Sequence, residues 1–149
     1  MVNYTTADEA LRLVQSGNRV FIHGSAATPV HLIKSLQARH NELENVELVS
    51  ITNMGEIDFF KPEYRKSFFF NSLFVSANTR AVSNSNDGDY VPIFLSEIPL
   101  LFRKKILPVD VALIQVSPPD IHGYCSLGTS VDIAKAAVEM ATTIIAQVN

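Results

Sequence analysis

The run Val109-Asp110-Val111-Ala112-Leu113-Ile114-Gln115-Val116, followed by Ser117-Pro118-Pro119-Asp120-Ile121-His122-Gly123-Tyr124-Cys125-Ser126-Leu127-Gly128, decides the fold. Its first part is apolar and short, the pattern of a strand buried on both faces. Two prolines and two glycines then fix the path of a loop at the carboxyl end of that strand. A helix-period segment from Ser130 to about Ala141 follows. A buried strand leading through a loop into a helix is the repeating unit of a parallel sheet, and open α/β sheets bind ligands at the carboxyl ends of their strands.

Working outward, the same alternation recurs. Thr6-x-x-Glu9 reads as a capping box for a helix over Ala7 to Gln15, stopped by Gly17. Arg19 to Ile22 is a short strand. Thr28-Pro29 reads as an N-cap and first-turn pair opening a helix to about Arg39. Strands are expected at Val46 to Thr52, Ser67 to Val75 and Val91 to Phe94, with Asn86-Asp87-Gly88 as a turn. A helix over Ser96 to Lys105 places Arg103, Lys104 and Lys105 in its last turn, where they suit the helix dipole. The chain closes on Thr143 to Val148, which reads as an interior strand. An interior strand one residue from the last residue suggests a fragment or domain of a longer protein. The expected class is α/β, a mostly parallel open sheet with flanking helices in one domain over residues 1–149.

Composition narrows the function. With 47% apolar and 18% charged residues, the chain has enough apolar side chains for a real core. The net charge of −3, with no Lys/Arg run, argues against a nucleic-acid surface. The single cysteine, Cys125, excludes an internal disulfide framework and suits a reducing, cytoplasmic setting. Met1 to Thr5 lack a signal-peptide pattern, and no apolar run reaches the ~18 residues of a membrane span. His23, His31 and His40 lack the spacing of a zinc site. Phe68, Phe69, Phe70, Phe74 and Phe94 read as core, and Glu42, Glu44 and Glu47 as a solvated face.

Three stretches have the residue types of a binding site. Gly24, Ser25, Ala26, Ala27, Thr28 and Pro29 join a strand to a helix: small residues let a ligand approach, and helix N-terminal amides attract a carboxylate or phosphate. The same residues equally suit a close-packed turn that binds nothing. The Gly-Lys-Ser/Thr of a P-loop is absent. Asn78, Thr79 and Arg80, within Ser76-Ala77-Asn78-Thr79-Arg80, offer donors for an anion, although an isolated arginine in a loop more often forms a structural ion pair. In the third stretch, Ser117, Pro118, Pro119, Asp120 and Gly123 shape the loop. Asp120 caps a turn through its side chain, and Cys125, beside apolar neighbours, reads as packed and inert.

Taken together, these motifs resemble the N-terminal part of the acetyl-CoA hydrolase/CoA-transferase family, which includes the 4-hydroxybutyrate and butyrate-type CoA-transferases. The resemblance runs from Thr5-Thr6-Ala7-Asp8-Glu9-Ala10 through Ser16-Gly17-Asn18-Arg19-Val20, Lys61-Pro62-Glu63-Tyr64 and Ser76-Ala77-Asn78-Thr79-Arg80. It continues through Tyr90-Val91-Pro92-Ile93-Phe94 and Glu97-Ile98-Pro99 to the Val109–Gly128 stretch, the strongest match. It implies a CoA-transferase-like (NagB/RpiA-like) domain that faces a second, related one. It also implies a glutamyl-CoA thioester mechanism, with an acyl-CoA thioester as substrate, a carboxylate as acceptor and no permanently bound cofactor. The catalytic glutamate would lie outside these 149 residues. This chain would supply part of the acyl/carboxylate pocket from Gly24, Ser25, Ala27, Thr28, Asn78, Thr79, Arg80, Ser117, Pro118, Pro119, Asp120 and Gly123. It would be inactive without the C-terminal half of the enzyme, and its exposed inter-domain face suits a homo-oligomer. Two other readings compete: a sugar-phosphate isomerase-like enzyme, and a non-enzymatic ligand-binding or assembly domain.

Overall fold

A computed structural model describes residues 4–55, 57–59 and 61–149. Six strands form one all-parallel sheet: β1 Arg19–Ile22, β2 Val46–Ser50, β3 Phe68–Ser72, β4 Gly88–Tyr90, β5 Val111–Val116 and β6 Thr143–Val148. Their order is β4-β3-β2-β1-β5-β6. The chain builds outward from β1 to β4 and then crosses back to place β5 on the other side of β1.

Alternation along the strands gives the sheet two buried faces. Val20, Ile22, Leu48, Phe70 and Leu113 face one core with Leu11, Ile33 and Leu36. Phe21, Val49, Ala112 and Ile114 face the other with Phe102, Ile133 and Ala137. Helices α1 (Ala7–Ala10) and α2 (Val30–Ala38) therefore cover one side, and α4 (Ile98–Arg103) and α5 (Ala134–Met140) the other. The short α3 (Arg80–Ser83) packs beside β3 and β4. Burial on both faces is why the central strands read as continuous apolar runs rather than as alternation.

The expected bounds of β1 and β6 are those observed, and other elements differ for local reasons. Helix α1 ends at Ala10 and passes into a 3-10 turn at Leu11–Leu13, although Thr6 does accept from the Glu9 amide as expected. The fourth strand is Gly88–Tyr90, not Val91 to Phe94. Gly88 belongs to the strand because a Cβ there would lie 2.7 Å from the Phe70 carbonyl oxygen and 3.0 Å from Val82 Cγ2. Helix α5 begins at Ala134, where Asp132 Oδ1 accepts from the Ile133 and Ala134 amides, four residues later than expected. Strand β6 is an edge strand among those described, with Ile144 48% exposed.

Three side-chain expectations also change. Phe69, Phe74 and Phe94 are exposed, whereas Phe68 and Phe70 are core. Phe69 points to the sheet face opposite its two neighbours, as strand alternation requires. Glu47 is half-buried in an ion pair with Arg19 at 2.7 Å, where Asn71 Nδ2 also donates to it. Cys125 is exposed on the β5 loop rather than packed.

Phe102 from α4 meets Phe21 of β1 edge-to-face, ring centroids 5.9 Å apart. Both rings are fully buried. Phe102→Ala should lose about 3–5 kcal/mol of stability, read as a lower urea midpoint at unchanged slope. An unchanged midpoint would contradict this packing.

Candidate functional site

The strand order reverses at β1, whose neighbours β2 and β5 carry the chain in opposite directions across the sheet. The loops leaving β1 and β5 consequently diverge and leave a crevice between them, the usual ligand position in a doubly wound sheet. A cavity of about 240 Å³ occupies it, lined by Ala26, Ala27, Gln115, Ser117, Ser126 and Gly128 among others.

The β1 loop is held from below. His23 is fully buried; its Nδ1 accepts from the Gln115 amide at 3.2 Å and its Nε2 donates to the Ser130 carbonyl at 2.7 Å. Because Nδ1 must accept, the proton sits on Nε2. Gly24 follows, where any Cβ would fall 2.6 Å from Ile51 Cγ1 and 2.9 Å from the Thr52 carbonyl. Its smallness is used in packing against Ile51 and Thr52. Ser25 adopts a positive φ of 52°, and its amide donates to Thr52 O at 2.7 Å. Thr28 is not the cap of α2: its hydroxyl donates to Ser25 O and accepts from the Met54 amide, tying the loop to the segment after β2. The cap position is Pro29, which has no capping side chain.

The cap function comes from elsewhere. Gln147, on β6, directs Oε1 to the His31 and Leu32 amides in the first turn of α2, at 3.2 and 3.4 Å. Its Nε2 donates to Gln115 Oε1 at 3.0 Å, across a register that pairs Gln115 with Gln147. Part of the α2 N-terminus that the sequence reading offered to an anion is thus occupied by a side chain. Sequence reasoning missed both glutamines, although each interrupts an apolar strand near its carboxyl end.

The β5 loop closes on itself. Ser117 and Ser126 pinch its base: the Ser117 amide donates to Ser126 O, and the Ser126 amide donates to Ser117 Oγ. Asp120 Oδ1 accepts from the His122 and Tyr124 amides at 2.8 and 2.9 Å, the expected turn cap. Pro118 and Asp120 are exposed. Pro119 and Gly123 line a separate groove of about 740 Å³ with Tyr4, His31, Cys125 and Gln147.

The Asn78–Arg80 stretch lies apart. Thr79 is buried, its hydroxyl accepting from the Ser76 amide at 3.0 Å. Asn78 Nδ2 donates to the carbonyls of Asn53 and Gly55. Asn78 lines a cleft of about 550 Å³ with Lys34, Gln37, Asp58 and Lys61. There the Asp58 carboxylate, by hydrogen bond and charge, raises the Lys61 ammonium above its ordinary pKa. Arg80 is exposed and makes no ion pair with a described residue, contrary to the expected structural pair. The predicted residues thus divide: Ala27 and Ser117 share the switch-point cavity, Pro119 and Gly123 a neighbouring groove, and Asn78 a third cleft. No group of three or more potential metal ligands occurs among the described residues.

An open parallel sheet with flanking helices on both faces and a cavity at its topological switch point defines a doubly wound α/β domain. Comparison with known proteins makes the assignment specific: residues 2–149 match the acetyl-CoA hydrolase/transferase N-terminal domain, and the chain belongs to that family. It is 47% identical over 147 residues to a succinyl-CoA:acetate/propanoyl-CoA:succinate CoA transferase of Fasciola hepatica, covering 97% of this chain and 30% of that protein. It is 42% identical over 144 residues to a 4-hydroxybutyrate coenzyme A transferase of Clostridium kluyveri, covering 97% of this chain and 34% of that one. Among solved structures, RipA from Yersinia pestis superposes with a TM-score of 0.87 at 27% identity, over 97% of this chain and 36% of its own. The chain therefore spans about a third of the length of the curated relatives it matches. No described helix is long and apolar enough to cross a membrane.

Gly24→Ala should cost about 1–3 kcal/mol, because one of the atoms it meets is backbone and cannot swing aside. Thermal melting checks this. A wild-type melting temperature would mean the β1 loop has room that the geometry denies.

Proposed function

We propose that this chain is the N-terminal domain of an acyl-CoA:carboxylate CoA-transferase or acetyl-CoA hydrolase, walls part of the acyl/carboxylate pocket, and has no turnover by itself. The observation that carries the reading is the family match over residues 2–149, in a chain about one third the length of its CoA-transferase relatives. The switch-point cavity supports the reading. It is small, apolar on its Val116 and Leu127 side and polar at Gln115, Ser117 and Ser126, proportions suited to a short acyl chain ending in a carboxylate.

In the proposed reaction a glutamate from the C-terminal half attacks the acyl-CoA carbonyl and expels CoA thiolate, giving a mixed anhydride. The thiolate attacks the glutamyl carbonyl, releasing the first carboxylate and leaving a glutamyl-CoA thioester. An acceptor carboxylate attacks that thioester and again expels thiolate. The thiolate then takes the new acyl group from the anhydride and returns the glutamate. In a hydrolase, water replaces the acceptor. The role of this chain is to bind and orient the carboxylate and to exclude water, which raises the effective concentration of the acceptor.

The test is exchange between acetyl-CoA and isotopically labelled acetate, using the purified chain and a longer polypeptide that continues into a C-terminal half. The chain should give no exchange. The longer protein should exchange and, after incubation with acetyl-CoA and borohydride, carry a reduced glutamate. Exchange by the chain alone would refute the division of labour; no exchange by the longer protein would refute the activity.

A further inference from the structure

We infer that Gln115 is the carboxylate-recognising donor of the switch-point cavity, and that Gln147 fixes its polarity from outside the cavity. This rests on the function proposed above and names the residue that reads the acceptor's charge. The inference follows from a chain of hydrogen bonds that can run in only one direction.

The chain starts at α2. The His31 and Leu32 amides can only donate, so the Gln147 atom facing them at 3.2 and 3.4 Å must be its carbonyl oxygen. Gln147 therefore turns its NH₂ toward β5. The Gln115 atom that meets it, 3.0 Å away, must be an acceptor, hence Oε1. Neither amide can flip without setting two donors or two acceptors against each other. The polar group left to Gln115 is its Nε2H₂, which has no partner among the described residues, and Gln115 lines the cavity. Below it, the Gln115 amide is held by His23 Nδ1 at 3.2 Å, so the strand that carries the side chain cannot drift.

Every link presents donors in the same sense, from the positive end of α2 to the cavity wall. Bonds in such a series polarise one another, and the dipole of a nine-residue helix lies behind them. A half-buried amide NH₂ with no protein acceptor is complementary to a carboxylate or an acyl carbonyl, and unsuited to a cation. Gln115 and Gln147 are thus assigned different jobs: one touches the ligand, and the other positions it.

Two substitutions separate these jobs. Gln115→Glu keeps one oxygen to accept from Gln147 but replaces the donor with an anion. Gln147→Glu never touches the cavity and keeps an acceptor, now charged, on the α2 amides, where a carboxylate is favourable. Its second oxygen then faces Gln115, which must rotate, give Nε2 to Glu and turn Oε1 into the cavity.

The experiment is a nitrogen–proton spectrum of the 149-residue chain, titrated with sodium acetate and, at equal ionic strength and pH, with methylammonium chloride. The Gln115 side-chain NH₂ signal, identified by its loss in Gln115→Glu, should move saturably with acetate and stay still with methylammonium. Both variants should bind acetate roughly 10- to 100-fold more weakly, the value of a lost hydrogen bond to a charged group. Gln147→Glu should do so while melting no lower than wild type.

A Gln115 signal indifferent to acetate, whether or not other residues respond, overturns the inference. So does a Gln147→Glu chain that binds acetate like wild type. If Gln115 responds as described but the longer protein shows no thioester exchange, the carboxylate donor stands and the transferase reading falls.

Discussion

The architecture of the site depends on one buried ring. Strand β1 is only four residues long, and its register with β5 ends at Ile22 opposite Leu113. Beyond that point β5 continues for three residues with β6 on one side and no strand on the other. His23 fills the gap. Its backbone amide donates to Leu113 O, and its ring nitrogen accepts the Gln115 amide that the absent strand would have satisfied. The other ring nitrogen secures Ser130, just ahead of α5. An unpaired buried amide costs about 1–3 kcal/mol, so the ring does more than fill space. It lets β1 stop early, lets the two loops part, and keeps β5 rigid where the crevice opens.

That arrangement explains which parts of the molecule could be read from sequence. Strands β1, β5 and β6 are apolar runs between polar or turn residues, and their burial pattern follows from side chains that local sequence displays. β4 is the opposite case. Gly88-Asp89-Tyr90 contains no apolar run, and it is a strand only because β3 offers it a ladder and glycine admits the Phe70 carbonyl. Lateral pairing of a polar edge strand leaves no trace in its own residues. The same limit applies to α3, four polar-flanked residues whose helical turn follows from the Ser76–Thr79 side-chain bond.

The site was legible in outline and not in its polar wiring. The Pro-Pro and Gly punctuation of the β5 loop located the crevice, and Asp120 caps the turn that its position after Pro118-Pro119 suggested. Thr28 misled because Thr-Pro before a helix is a good capping pattern, while the tertiary partner that claims its hydroxyl, Met54, lies 26 residues away. Gln147 caps the same helix from 116 residues downstream. No window of local sequence contains both ends of such a bond. A single glutamine inside an apolar strand was the available signal, and two of them at equivalent positions on adjacent strands was a stronger one.

A polar group shut off from water within a sheet must be satisfied or it destabilises the fold. Gln147 meets that requirement within the protein, with Oε1 on α2 and Nε2 on Gln115. Gln115 meets half of it within the protein, through Oε1, and leaves Nε2 to solvent. An apolar residue at either position would be simpler for folding, since β5 and β6 are otherwise well supplied with Val, Ile and Ala. Retaining two amides, and letting the second end on an unmatched donor at the switch point, makes sense if the missing acceptor arrives with the ligand. Folding then leaves the donor oriented in advance, so binding does not have to order it. In that reading α2, on the far side of the sheet from α4 and α5, acts on the cavity through Gln147 without lining it.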